Sequence, residues 1–222
     1  MINTKKFYQD KFKKFGVNHK ALQWKEKGAA HQRFRQFWNE IDFTNRNVID
    51  VGCGFGEMGN FLVRRYDNVK YTGVDITPEF IDNGKILYPH LELQTVDYFD
   101  QPLPEIYDTV ISSGTLNSNF GNKTENMEFR QKAIRTMFEH TTNVLAFNML
   151  GGHPIPINKK GSNIWYADSL EIVEFCFSLT RRVILRANYN PKDFTIFIEN
   201  CLSNLSNVLD NIAAEVIPSV SK

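Results

Sequence analysis

The stretch Asn47 to Leu62, N-V-I-D-V-G-C-G-F-G-E-M-G-N-F-L, decides the fold of this chain. Val48, Ile49 and Val51 read as a short buried strand. Gly52, Gly54 and Gly56 follow at once, and Glu57 to Arg65 then reads as a helix. Alternating glycines at a strand end mark a sharp turn where a ligand can approach the backbone, because side chains there would block it. Lys70 to Asp75, K-Y-T-G-V-D, reads as a second strand ending in an acid. That acid lies about 20 residues beyond the glycines, where a carboxylate accepts hydrogen bonds from both hydroxyls of a ribose.

With these residues the sequence resembles the class I S-adenosylmethionine-dependent methyltransferases. Their glycine motif matches Asp50, Gly52, Gly54 and Gly56, and their ribose-binding acid matches Asp75. The resemblance covers the chain from Arg46 to Glu199. It implies a doubly wound α/β fold, with a seven-stranded, mostly parallel sheet closed by an antiparallel terminal hairpin. It also implies S-adenosyl-L-methionine as cofactor. Two other readings stand beside it: a glycine-rich turn that holds no ligand, and a dinucleotide fold. Gly54-Phe-Gly56-Glu-Met-Gly59 also fits G-x-G-x-x-G, but that register starts two residues late relative to the strand end.

The strands that follow bear on the choice. Leu91 to Val96 and Tyr107 to Ser112 read as the third and fourth, and Asn143 to Met149 as the fifth. Arg182 to Asn188 and Phe194 to Glu199 read as two more, joined by Y-N-P-K-D. That loop is too short for a parallel crossover, so the pair is antiparallel. A terminal hairpin is the sheet pattern of the methyltransferases and not of a nicotinamide-dependent dehydrogenase. Helices are expected over 2–15, 28–40, 124–140 and 168–179, and from Thr77 with Pro78 at its first position. Three units result: a helical cover over 1–45, the cofactor-binding domain over 46–199 and a helical tail over 200–222.

The resemblance and the strand ends together nominate the site. Ligands in open α/β sheets lie beyond the carboxyl ends of the strands. The candidate cofactor residues are Asp50, Gly52, Cys53, Gly54, Gly56, Asp75 and Ile76, then Ser112, Ser113 and Gly114 after the fourth strand. By the resemblance, Asp97 takes the adenine amino group and Tyr98 lines the ring. If the N-terminal cover closes over the cofactor, Trp24 contacts it and Arg33 pairs with the methionine carboxylate through its two-donor fork. The loop 151–166, rich in Gly, Pro and Asn, is expected to be a substrate lid. Asn117, Trp165 and Tyr166 are the substrate-binding candidates. His153 is the weak candidate for a general base, which the reaction needs only if the acceptor must lose a proton.

The chain has 222 residues and a net charge of +1, unevenly spread. Residues 1–40 carry ten Lys and Arg against Asp10, Glu26 and Glu40, hence +7, leaving −6 for the rest. Cys53, Cys176 and Cys201 lack metal-ligand spacing, as do the histidines, so no metal is expected. With no apolar run of membrane-span length and no signal-type segment, the expected setting is cytoplasmic, without a membrane partner. A monomer or homodimer is expected. The first functional reading is methyl transfer to an oxygen or nitrogen of a small molecule. The second is an RNA or protein methyltransferase that binds substrate through Lys5, Lys6, Lys11, Lys13 and Lys14. The third is a non-enzymatic module retaining the fold. After the fourth strand there is neither the Asn/Asp-Pro-Pro-Tyr/Phe element of amide and base-nitrogen methylases nor a Pro-Cys nucleophile.

Overall fold

The computed structural model describes residues 3–24 and 27–200. The expected tail helix over 200–222 lies, apart from Asn200, outside the described residues.

Buried Val48, Ile49 and Val51 make β1 (Asn47–Val51) the centre of the sheet. Around it run β2 (Lys70–Asp75), β3 (Glu92–Thr95), β4 (Tyr107–Ser113), β5 (Thr141–Gly152), β7 (Val183–Asn190) and β8 (Asp193–Glu199), in the order β3-β2-β1-β4-β5-β8-β7. The first five are mutually parallel, while β8 runs antiparallel to both β5 and β7. The expected seven-stranded sheet and terminal hairpin are therefore present. A two-residue strand, β6 (Ala167–Asp168), adds an eighth by pairing with the end of β5. β5 also runs further than expected, because β8 stays in register with it as far as Leu150 opposite Asp193.

Helices cover both faces of the sheet. α3 (Glu57–Arg65) and α4 (Pro78–Leu87) follow β1 and β2. α2 (Lys27–Trp38) buries Phe34 and Phe37 on the face shared with Val48, Leu62 and Phe197. The opposite face takes α5 (Lys123–Glu139) and α6 (Ser169–Phe177), which bury Ile134, Met137 and Ile172 against Leu145, Phe147 and Ile196. α1 (Thr4–Phe15) is amphipathic as expected, but none of its residues is fully buried. It rests by Tyr8 and Phe12 on Phe80 of α4, and Gln9 donates to Glu79 at 2.9 Å.

Two helix starts are capped in different ways. Thr77 stands at the start of α4 without a side-chain cap bond; the Asp75 carboxylate takes its amide instead. The reciprocal capping box belongs to α5, where Asn122 and Glu125 exchange bonds. No helix among the described residues is long and apolar enough to cross a membrane.

Candidate active site

The turn after β1 passes through Gly52, Gly54 and Gly56 with φ of +78°, +58° and +90°. At Gly52 the need for glycine is steric as well as conformational. A Cβ there would lie 2.0 Å from Thr115 Oγ1, and Thr115 is held by its bond to the Val51 carbonyl at 3.0 Å. The amides of Gly52 and Cys53 both donate to the Val74 carbonyl, at 2.8 and 3.0 Å, which fastens the turn to β2.

Asp75 stands at the end of β2, facing this turn. Its Oδ2 accepts the Gly54 amide at 3.0 Å and its Oδ1 accepts the Thr77 amide at 2.9 Å. A carboxylate offers about four acceptor positions, so two remain for donors of a ligand. Burial pushes the carboxyl up to about 6; the Thr77 and Gly54 amides are the main groups opposing the shift, with smaller help from the Thr77 side chain and the Ile76 backbone. Behind it Asp50, 3% exposed, accepts the Tyr71 hydroxyl at 2.8 Å. Burial pushes Asp50 up to about 7; the Tyr71 bond opposes this and the charge of Asp75 adds to it.

These groups form one wall of a cavity of about 470 Å³. Asp97, Tyr98 and Phe99 bound it after β3, and Ser113, Gly114 and Thr115 after β4. Ser118, Phe120 and Phe129 close another side, with the Phe120 and Phe129 rings 4.3 Å apart and Phe99 5.6 Å from Phe129. Leu22, Trp24 and the first turns of α1, with Asn3, Lys5 and Tyr8, form the roof. Of the charged side chains on the lining, four are acidic (Asp50, Glu57, Asp75, Asp97), and Lys5 is the only Lys or Arg among the described residues there.

Comparison with known proteins agrees with this geometry. Residues 48–145 match the family model described as a methyltransferase domain. A malonyl-[acyl-carrier protein] O-methyltransferase of Acetivibrio thermocellus is 28% identical over 114 residues, which cover 50% of this chain and 40% of that protein. A putative methyltransferase of Invertebrate iridescent virus 6 is 29% identical over 69 residues, covering 31% and 26%. The chain thus spans less than half the length of these curated relatives. Among solved structures, the N-methyltransferase NodS of Bradyrhizobium japonicum in complex with S-adenosyl-L-homocysteine superposes with a TM-score of 0.61 at 13% identity, over 87% of this chain and 98% of that one. The magnesium protoporphyrin IX methyltransferase of Synechocystis does so with a TM-score of 0.59 at 14% identity, over 88% and 93%.

Residues 48–145 are thus similar to a methyltransferase domain, and the chain has the fold of the class I methyltransferases. The cofactor of that family is S-adenosylmethionine, and the lining fits it. Gly52 and Gly54 bring backbone to the cavity lining, Asp75 keeps acceptor positions for a diol, and the surplus of carboxylates suits a sulfonium cation.

Of the sequence-nominated residues, Asp50, Gly52, Cys53, Gly54, Asp75, Ile76, Asp97, Tyr98, Ser113, Gly114 and Trp24 all line the one cavity. Six others are placed elsewhere. Gly56 packs towards Leu91 and Leu93, where it admits the start of α3. Ser112 is fully buried and donates to the Val51 carbonyl at 2.9 Å, tying β4 to β1. Asn117 braces two backbone segments, donating to the Gly114 carbonyl and accepting the Leu150 amide. Trp165, a substrate-binding candidate, lies outside this cavity's lining; it is 6% exposed and its ring centre lies 4.3 Å from the guanidinium carbon of Arg130. Tyr166 pairs through its backbone with the Asn158 side chain. His153 sits apart from the cavity lining, with Nδ1 3.2 Å from the Asp168 carboxylate at the start of α6. Among the described residues no group of His, Cys, Asp and Glu could hold a metal ion.

Arg33 is intermediate. Its Nε and Nη2 both donate to Asp193 Oδ1, at 3.2 and 2.8 Å, and the remaining Nη1 would lie 3.5 Å from a Cβ on Gly114. It reaches the edge of the cavity with one arm free and two engaged. The first turn of α1, Phe99, Phe120 and Phe129 are lining residues that sequence reading missed. Only the amphipathic pattern of α1 hinted at any of them.

Proposed function

We propose that the protein is an S-adenosylmethionine-dependent methyltransferase acting on an oxygen or nitrogen of a small molecule. The observation that carries the reading is the pairing of Asp75 with the glycine turn inside a cavity roofed by α1 and Trp24. The bound cofactor supplies an activated methyl group on a cationic sulfur. Asp75 holds the ribose diol, and Asp97 the adenine amino group. The Nη1 of Arg33 reaches the methionine carboxylate from beside Gly114. Displacement at such a carbon needs mainly alignment and exclusion of water, which the aromatic side of the cavity and the α1 roof provide. The names of the relatives support a small acceptor. They include malonyl-[acyl-carrier protein] O-methyltransferases and a probable fatty acid methyltransferase of Pseudomonas putida, 34% identical over 73 residues.

A second reading, RNA or protein methylation, draws on Lys5, Lys6, Lys11, Lys13 and Lys14 of α1, of which Lys11 is half-buried, the others are exposed and Lys5 lines the cavity. Incubation with methyl-labelled S-adenosylmethionine and cell extract, split into small-molecule, RNA and protein fractions, separates the two. Label confined to the small-molecule fraction is expected. Label confined to RNA or protein would replace the first reading by the second. Calorimetry showing no binding of either S-adenosylmethionine or S-adenosylhomocysteine would remove both.

A further inference from the structure

The segment Ser118 to Gly121 is a partition. Ser118 and Phe120 line the cofactor cavity, while Asn119 and Gly121 line a second, more open cavity of about 610 Å³. The partition is firmly held. Arg130 Nη2 donates to the Ser118 carbonyl at 2.6 Å, and Asn126 Oδ1 accepts the Phe120 amide at 3.0 Å. From the other side Asn119 donates by its amide to the Asn163 carbonyl and by Nδ2 to the Ser162 carbonyl, at 3.0 and 2.8 Å.

The second cavity has a definite chemistry. Trp165 gives it an apolar wall and Ile155, 43% exposed, an apolar lip; Ile157, two residues on, is 85% exposed. The segment bearing these isoleucines is braced by Pro154, by Pro156 and by the Asn158–Tyr166 pairing, so their exposure is built in. Lys123 is joined to Glu171, and Asp168 to His153. Lys159 and Lys160 also line the cavity and form no ion pair with any described residue. Apolar surface beside two uncommitted ammonium groups is complementary to an apolar body that ends in an anion.

We propose that this second cavity binds an amphiphilic anion whose carboxylate or phosphate is held by Lys159 and Lys160. The partition separates this site from the cofactor cavity, so the assignment stands independently of the methyltransferase reading.

The test is calorimetric titration of the full chain, saturated with S-adenosylhomocysteine, by octanoate, octyl phosphate and octan-1-ol. Both anions are expected to bind about tenfold tighter than the alcohol. Whichever anion binds more tightly identifies the head group. In the Lys159→Ala/Lys160→Ala variant the three ligands should bind alike, and Ile155→Asn should weaken all three. These residues are exposed, so the fold and the affinity for S-adenosylhomocysteine should not change. Absence of binding by the anions, or a preference for them that survives loss of both lysines, would overturn the proposal. So would lysine-dependent sedimentation with phosphatidylglycerol vesicles in a protein that ignores the monomeric amphiphiles, which would make the patch a membrane contact. Failure of the methyltransferase reading would show separately, as no heat with S-adenosylhomocysteine itself.

Discussion

Asp75 Oδ2 accepts the amide of Gly54 at 3.0 Å, across 21 positions of sequence. The acid proposed to hold the ribose is thus positioned by the turn it serves. Its first oxygen is fixed in the same way by Thr77, at the start of α4. The carboxylate plane is set by two elements before any ligand arrives, which lowers the ordering cost of binding.

This arrangement predicts opposite pH trends for stability and affinity. Asp75 titrates at about 6 in the folded protein, against ~3.9 in an unfolded chain. The folded state therefore binds more protons between these values. The contribution of this group to stability is present below pH ~4 and is lost as pH rises through about 6. Asp50, at about 7, extends the loss upward. Diol binding needs the ionised carboxylate, so affinity for S-adenosylhomocysteine should fall as pH drops below about 6. Denaturation and calorimetry between pH 5 and 8 measure both, and Asp75→Asn should flatten the affinity curve and remove from the stability curve all but the part due to Asp50. Affinity that does not vary with pH would count against a ribose role for Asp75.

Gly52→Ala should damage the cradle by two separable routes. An L-residue at positive φ costs roughly 1–2 kcal/mol. The new Cβ also meets Thr115 Oγ1 and Cγ2, at 2.0 and 2.7 Å. Adding Thr115→Ala removes the second route only, so the double variant should recover part of the lost stability in urea denaturation. Full recovery would mean that the backbone angle carries no cost.

The ion pair of Arg33 and Asp193 is nearly buried, with side chains 13% and 8% exposed. Removing one partner strands the other charge, so Arg33→Ala should cost about 3 kcal/mol. Arg33→Met with Asp193→Asn should cost much less. If Nη1 binds cofactor, the double variant should regain stability without regaining affinity for S-adenosylhomocysteine. Affinity that returns with stability would leave Arg33 a purely structural residue.

Tyr98 is 3% exposed, and its hydroxyl has no hydrogen-bond partner among the described residues. An unsatisfied buried hydroxyl is a liability. Tyr98→Phe should therefore leave the ligand-free protein as stable as before or raise its stability by up to ~1 kcal/mol. A loss above that range, in thermal or urea unfolding, would mean that the hydroxyl is bonded in solution.

The cradle was legible in the sequence because its signals are local: an apolar strand, alternating glycines, and an acid closing the next strand. The antiparallel end of the sheet was legible because the short loop Y-N-P-K-D forces a hairpin. What escaped depends on partners distant in sequence. Arg33 reads as a free cation on an amphipathic helix, and its acid lies 160 positions away. Trp165 stands in a stretch rich in Gly, Pro and Asn, which suggests an exposed lid. The indole is buried because Arg130, from the middle of α5, lies over it. Arg130 itself reads as a solvated helix residue, and nothing near it in sequence marks it as fully buried.

Arg130 yields the least intuitive expectation. It is fully buried, yet no carboxylate pairs with it among the described residues. Its charge is spread over the carbonyls of Ser118 and Asn126, at 2.6 and 2.8 Å, the Asn126 side-chain oxygen at 3.0 Å, and the face of Trp165. Nε has no partner among the described residues, and burial pulls the guanidinium down to about 9. Lysine would keep a buried charge but lose the planar fork and the stacking that make it tolerable. Methionine would leave some carbonyl oxygens unsatisfied, at roughly 1–3 kcal/mol each, but would bury no charge. Arg130→Met should therefore be less destabilising than Arg130→Lys, the reverse of chemical conservatism. Both should loosen the Ser118–Phe120 wall, seen as faster amide exchange at Phe120. Urea denaturation ranks the two variants, and a more stable lysine variant would show that the positive charge, not the shape of the fork, holds the partition.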